Sequence, residues 1–363
     1  MAHPRRLTLF TIGAMAAAAA LCGAAPTDEL LGEPVHELVW ESQLWDRPDA
    51  KTRATTVDNW RRNAVAAFFN TTYTPALGVP MQWSGNVATC DAGTTSQAYI
   101  DATFQMINYY RAMVGLADAT NAVAYNAGAQ QAALMMSANY ALSHSPPSSW
   151  TCWTAAGAAA AGGSNLALGN AGPTAIIAYI RDSGSGNYFV GHRRWILYPL
   201  LNQFGTGSVG ETTPNANALH VFTGFGSRPP APDKIAWPPE GYVPYQVAYT
   251  RWSLALNTSS SVSFASADVT MTENGSPVSL SVVSRTNNGY GDNTIVWEPS
   301  GLYFPPGAPD RRFTVTVSNI LVNGSPQTRV YDVVVMDPDT VSTEIFDDGF
   351  ESGHTGAWSG TVP

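Results

Sequence analysis

Residues 97–115 read QAYIDATFQMINYYRAMVG, and the fold is decided there. Ile100, Phe104, Ile107 and Arg111 recur at spacings of three or four, the period of one helical face. Thr95 and Ser96 stand where an N-cap belongs, and Gly115 where a helix stops. Downstream, the stretch from Ala122 to Leu142 is rich in Ala, Leu and Met and predicts a second helix. Gly128 inside it costs about 1 kcal/mol against Ala, which points to close packing at that position. Met135 and Met136 read as core filler. Upstream, Val57–Asn70 (VDNWRRNAVAAFFN) places Trp60, Ala64, Val65 and Phe68 on one helical stripe, and 71–94 reads as a loop.

Further along, 145–163 is predicted to be a loop. A third helix is expected from Pro173 to Asp182, with Pro in its first turn and Gly184, Gly186 and Asn187 beyond its end. Gly191–Leu197 and Ala218–Phe225 have the composition of strands. As a strand, the former would put His192, Arg194 and Ile196 on one face and Arg193, Trp195 and Leu197 on the other. Helices and strands in separate runs indicate an α+β domain.

Composition changes after Arg228. Pro229-Pro230-Ala231-Pro232 makes a stiff linker, and helical periodicity then disappears. Segments 262–264, 269–272, 278–283, 294–297, 313–317 and 329–335 alternate or carry β-branched runs. Asn274-Gly275, Asn288-Gly289 and Asn323-Gly324 are hairpin signals. The expectation is an all-β, Ig-like sandwich. Trp237, Tyr242, Tyr245, Tyr249 and Trp252 cluster at its entrance and are expected to pack the seam between the domains.

Eighteen Lys and Arg oppose 27 Asp and Glu in 363 residues, a net charge of -9. That balance argues against nucleic-acid binding through a basic surface. At 45% hydrophobic and 12% charged residues, the bulk of the chain does not have the composition of a disordered protein. Arg5 and Arg6, the apolar run Leu7–Leu21 and the small residues Cys22-Gly23-Ala24-Ala25 read as a secretory signal peptide. The run is short for a membrane span, and no second long apolar stretch follows. A lipid anchor on Cys22 is the rival reading, but Leu21 stands where a small residue is wanted. The mature chain is thus expected to be soluble, and secreted or periplasmic. It keeps Cys90 and Cys152, which in an oxidising compartment read as one disulfide.

His144 lies in ALSHSPP and His192 in VGHRRWIL. Each could be a hydrogen-bonded structural histidine. The order of motifs adds to this: Asn108-Tyr109-Tyr110-Arg111 with Gly115-Leu116, then Leu142-Ser143-His144-Ser145, Gly163-Ser164-Asn165-Leu166-Ala167, the helix to Asp182, Asn187, and Gly191-His192-Arg193. Residues 97–228 so arranged resemble the CAP superfamily of cysteine-rich secretory proteins, antigen 5 and pathogenesis-related 1 proteins, most of all its bacterial secreted branch. The resemblance implies an α-β-α sandwich. It also implies a cleft of two histidines and two acids that in some members holds a divalent metal such as zinc. Here it would place His144, Ser145, Ser164, Asn165, Asp182 and His192 in a ligand-binding cleft, with His144 and His192, and Asp182 as a third candidate, as metal ligands. Ser164 stands where the family has glutamate, so one carboxylate is missing.

The resemblance implies a ligand-binding or surface-interaction module, with a small apolar or peptide ligand or a cell-surface component as partner. A metal-dependent hydrolase and an adhesive module acting through the β-sandwich remain alternatives. Ser145, His192 and Asp182 supply the residue types of a catalytic triad without a G-x-S-x-G elbow. Gly205–Gly210 matches G-x-G-x-x-G but reads as a Gly-rich turn, since no helix start follows it. Asp347, Asp348 and Glu351 lack calcium-loop spacing. The expected division is a signal peptide at 1–25, an N-terminal extension at 26–96, the CAP-like domain at 97–228, the Ig-like sandwich at 229–340 and a flexible tail at 341–363.

Overall fold

Seven helices, α1 to α7, and fourteen strands, β1 to β14, are defined in the computed structural model, which describes residues 55–210, 214–285 and 287–340. Residues 1–54, where the signal peptide is expected, and the expected tail from 341 lie outside the described residues. The first helix, α1, covers Arg62–Phe68. A wider π-type turn over Phe69–Tyr73 carries it into α2 at Thr74–Leu77. The helix is therefore shorter at its start than its apolar spacing predicts. Trp60 precedes it and is 47% exposed, so the expected stripe begins at Ala64. The helical turn α2 also occupies the start of the stretch read as loop.

Helix α3 spans Gln97–Met113, and the Ser96 side chain accepts from Tyr99 N at its N-terminus. Arg111 ends its buried stripe. Its guanidinium donates to the carbonyls of Ala117 and Ile196 at 2.8 Å each, and burial lowers its pKa to about 10. Helix α4 spans Asn126–Asn139, and Met135 and Met136 are fully buried on it. Helix α5 covers Ala155–Gly162, capped by Thr154 Oγ1, which accepts from Gly157 N. The expectation of a continuous loop at 145–163 fails there, because a run of Ala and Gly has no polar face to betray a helix. A Cβ on Gly128 would stand 3.1 Å from Ala160 Cβ, so α4 and α5 do pack closely at that glycine.

Four strands form the first sheet in the order β1 (Thr120–Asn121), β3 (Gln203–Val209), β4 (Ala216–His220) and β2 (Ser164–Leu168). Alternation gives it two faces. Ala216, Ala218 and Leu166 pack with Ala129, Ala133 and Met136 of α4. Leu219, Ala167 and Phe204 pack with α3 and with α6 (Gly172–Arg181). The layering is α-β-α.

The Gly-rich segment is strand β3, not a turn. A Cβ on Gly207 would overlap the backbone of Ala129 and Gln130, and one on Gly205 would sit 2.5 Å from Tyr125 Cβ. The glycines let α4 and Tyr125 lie directly on the strand. The Gln130 amide completes this contact: its Nε2 donates to Ser208 O, and its Oε1 accepts from Ser208 N.

Gly191–Ile196 is helix α7, which overturns the expected strand and the two faces drawn from it. The Cys90–Cys152 disulfide is present, with 62 residues of separation. A loop of that size stabilises by about 4 kcal/mol in the chain-entropy picture.

Beyond residue 230 the chain is a two-sheet β-sandwich. One sheet runs β10 (Ser276–Val278), β9 (Asp268–Glu273), β13 (Arg311–Val322), β14 (Ser325–Met336) and β6 (Gly241–Pro244), with β8 (Val262–Ser263) beside β13. The other runs β11 (Leu280–Ser284), β12 (Thr294–Pro299), β7 (Trp252–Leu256) and β5 (Lys234–Trp237). Asn274-Gly275 and Asn323-Gly324 make two-residue hairpins with positive φ at all four residues. Asn288-Gly289 instead belongs to a longer loop between β11 and β12.

Of the five aromatics expected at the seam, Trp237 and Tyr249 meet α3, whereas Trp252 packs on Trp297 and Phe313 inside the sandwich. Tyr110 of α3 meets Trp237 edge-on at 5.0 Å, and its hydroxyl pairs with that of Tyr249 at 2.7 Å.

Candidate functional site

Asp182 closes α6 in the left-handed region at φ 51, a conformation that Asp tolerates better than most residues. That turn sends its fully buried carboxylate toward the start of α7. Oδ1 accepts from His192 Nδ1 at 2.7 Å. Oδ2 accepts from His192 N at 2.9 Å and from Arg193 N at 3.3 Å. The carboxylate so satisfies two of the orphan N–H groups that open a short helix, which explains why this stretch is helical rather than extended.

The carboxylate also fixes the imidazole. A carboxylate oxygen only accepts, so a neutral His192 carries its proton on Nδ1 and presents Nε2 as an acceptor. The ring is 23% exposed and lies against Tyr179 at 5.4 Å between centroids. His192 O accepts from Asn165 Nδ2 at 3.1 Å, and Asn165 O accepts from the Tyr179 hydroxyl at 3.0 Å. Asn165, Asp182 and His192 thus form one hydrogen-bonded group.

His144 is exposed in the loop after α4. Its Nδ1 is 3.0 Å from Ala161 O, so its neutral ring also holds the proton on Nδ1 and offers Nε2. Ser145 is exposed beside it, and its N donates to Ser143 Oγ at 3.0 Å. Among the described residues Ser145 makes no hydrogen bond to His192, so the triad suggested by residue types is not assembled.

Ser164 is buried at the start of β2. Its hydroxyl donates to Ala160 O at 2.7 Å and lies 3.5 Å from His220 Nδ1. His220 was missed from sequence. It faces Ser164 in the β2–β4 register and stacks on Tyr125 at 4.6 Å. Burial lowers its pKa from the ordinary 6.5. The signal that could have found it is the alternation Ala216, Ala218, His220 once β4 is recognised.

Both expected histidines are anchored to a short segment at the edge strand β2, His144 at Ala161 and His192 at Asn165. No hydrogen bond joins their side chains among the described residues. Zinc centres use three protein ligands and an open position. Asp182 has both oxygens committed, and among the described residues no group of three or more His, Cys, Asp and Glu side chains is placed to share an ion. The residues present do not form a three-ligand set.

Residues 104–224 match the model of the CAP family, the cysteine-rich secretory protein family. Over that third of the chain the similarity is to a CAP domain. The match takes in His144, Ser145, Ser164, Asn165, Tyr179, Asp182, His192 and His220. No curated protein matches the chain. No helix among the described residues is long and apolar enough to cross a membrane.

The β-sandwich reaches into the CAP domain at the same turn. Arg251 Nη1 donates to Asp182 O at 2.6 Å and to Gly184 O at 2.9 Å. In return, Arg193 of α7 donates to Arg251 O and Ser253 Oγ at 2.9 Å each. Arg193 is buried, and desolvation lowers its pKa to about 10. A cavity in this seam is lined by Arg193, Leu197, Ile235, Trp237 and Ser253 among others, and by neither imidazole.

Proposed function

We propose that this is an exported CAP-domain protein that binds a component of the cell surface or envelope across an open face. The observation that carries the reading is the shared tautomer of His144 and His192. Each ring has Nδ1 tied down, one to a backbone carbonyl and one to the Asp182 carboxylate, which leaves Nε2 of a neutral ring as the free acceptor. Two such acceptors, on an exposed ring and a half-buried one, suit a partner that lays hydrogen-bond donors across the surface. They do not suit a small apolar molecule, which would need an enclosing pocket. The absence of a three-ligand set weighs against the metal-dependent hydrolase. The paired cysteines support an oxidising compartment.

Sedimentation with envelope fragments of the producing cells tests this. Wild-type protein is expected to co-sediment. The variant carrying His144→Ala and His192→Ala, shown folded by circular dichroism, is expected to bind about thirtyfold more weakly, since two net hydrogen bonds at about 1 kcal/mol each are lost. Equal binding by both proteins overturns the reading, as does a wild type that stays in solution. Recovery of one divalent ion per chain, with a turnover abolished by the same variant, would replace it with the hydrolase.

A further inference from the structure

A continuous line of aromatic rings passes beside both ends of this site. Tyr125 stacks on His220 at 4.6 Å and 15°. His220 and Phe222 together cover Gly163, where a Cβ would meet both rings. Phe222 meets Trp195 of α7 at 5.1 Å. Trp195 then stacks on Phe225 at 6.3 Å and 14°, and approaches Tyr290 at 6.2 Å. Tyr290 comes from the sandwich and continues to Phe189 at 5.1 Å, and Phe189 to Tyr188 at 5.3 Å. Gly191, next to His192, lies under Phe189 and Tyr290.

Most of these rings face solvent. Tyr125, Phe222, Phe225, Tyr290 and Tyr188 are between 37% and 54% exposed. With rings of this size, the open aromatic area is on the order of 400–500 Å², in the range where surface patches are functional. Buried Trp195 holds the line together from beneath.

We infer that this stripe binds a neutral polysaccharide, with sugar rings stacked on the exposed aromatics. The inference rests on the open-face reading above and names its partner class. Charge selects the occupant. The stripe rings carry no charge, and Arg228, which lies over Tyr198 beside Phe225, is paired with Asp292 at 2.7 Å. The chain as a whole is at -9, so an acidic polymer is repelled, and the rings themselves offer a basic one no carboxylate. An uncharged polymer with many hydroxyls matches the flat ring faces and meets hydrogen-bond partners along the edges: the tyrosine hydroxyls, His220, and the Nε2 acceptors of His144 and His192.

Affinity electrophoresis of the full chain in gels containing hydroxyethylcellulose, dextran or soluble starch tests the inference. At least one gel is expected to retard the wild type. Phe225→Ala combined with Tyr290→Ala should weaken retention by about tenfold, at about 0.5–1.5 kcal/mol per stacked ring. Tyr303→Ala, at a ring 74% exposed outside the stripe, should change nothing. Lack of retardation in every gel overturns the inference, as does equal retention by the double variant. Binding of the wild type to phosphatidylcholine vesicles, lost in the double variant and without retention in any gel, overturns it in favour of a membrane surface. If envelope binding depends on His144 and His192 but not on Phe225 and Tyr290, the stripe proposal falls and the open-face reading stands. If nothing co-sediments and nothing is retarded, both fall.

Discussion

Replacing Asp182 by Asn keeps the side chain's shape and removes one charge. The carboxylate accepts three hydrogen bonds, at 2.7, 2.9 and 3.3 Å, with its side chain at 0% exposure. Hydrogen bonds to a charged group contribute roughly 1 kcal/mol more than neutral ones, so the two short bonds lose about 2 kcal/mol between them. Buried Arg193 also loses the nearby negative charge that supports its protonated form. Relief from burying a carboxylate offsets part of this. The expected net loss is about 2–3 kcal/mol, which for a chain of this size lowers Tm by roughly 3–5 °C.

A second consequence is specific to the imidazole. The Asn carbonyl replaces Oδ2 on the two backbone N–H groups, and its amide nitrogen then points at His192 Nδ1. A donor there forces Nδ1 to accept, so the proton moves to Nε2, which changes from acceptor to donor. Long-range ¹⁵N spectra of the imidazoles, followed across a pH series, report the tautomer of the neutral rings. Thermal or urea unfolding reports the stability. A variant that keeps the Nδ1–H form of His192 and unfolds within about 0.5 kcal/mol of wild type would refute the role given to Asp182.

Gly207→Ala should destabilise by about 3 kcal/mol or more, because the new methyl overlaps backbone of α4 and cannot be relieved by a side-chain rotation. Gly186→Ala, with nothing within 4 Å of the new carbon, is the neutral control in the same urea titration. His220 gives stability a pH dependence. Its folded pKa lies below its ordinary 6.5, so below that pH the unfolded chain takes up a proton that the folded chain refuses. Stability from this residue is therefore complete above pH 6.5 and falls as the pH drops from there toward the folded value. His220→Asn should flatten the fall in Tm over that acidic window, and an unchanged slope would count against burial as the cause.

Helices were legible where burial and capping shared one local pattern. Ser96, Ile107 and Arg111 announce α3, and the hairpins at Asn274 and Asn323 announce themselves through residues that accept positive φ. The same local reading failed where the deciding partner is remote. Helix α7 is only six residues long, too short for periodicity, and its first donors are satisfied by Asp182, ten residues upstream. Gly205 and Gly207 read as turn residues because nothing local says that α4 will lie on them. Strands β5, β6 and β7 were hidden among prolines and aromatics. His144, Asp182 and His192 were identified from the order of motifs, not from chemistry. His220 escaped because its partner Ser164 is reached only across a strand register.

The two arginines that cross between the CAP domain and the sandwich make each half incomplete without the other. Cut free, the CAP half would bury the Arg193 guanidinium without two of its acceptors and leave the Asp182–Gly184 turn unheld. The α6–α7 turn therefore could not be lent to another protein as a portable module. A lineage that shed or exchanged the sandwich would have to rebuild the α6–α7 corner as well, so the two halves should be inherited together.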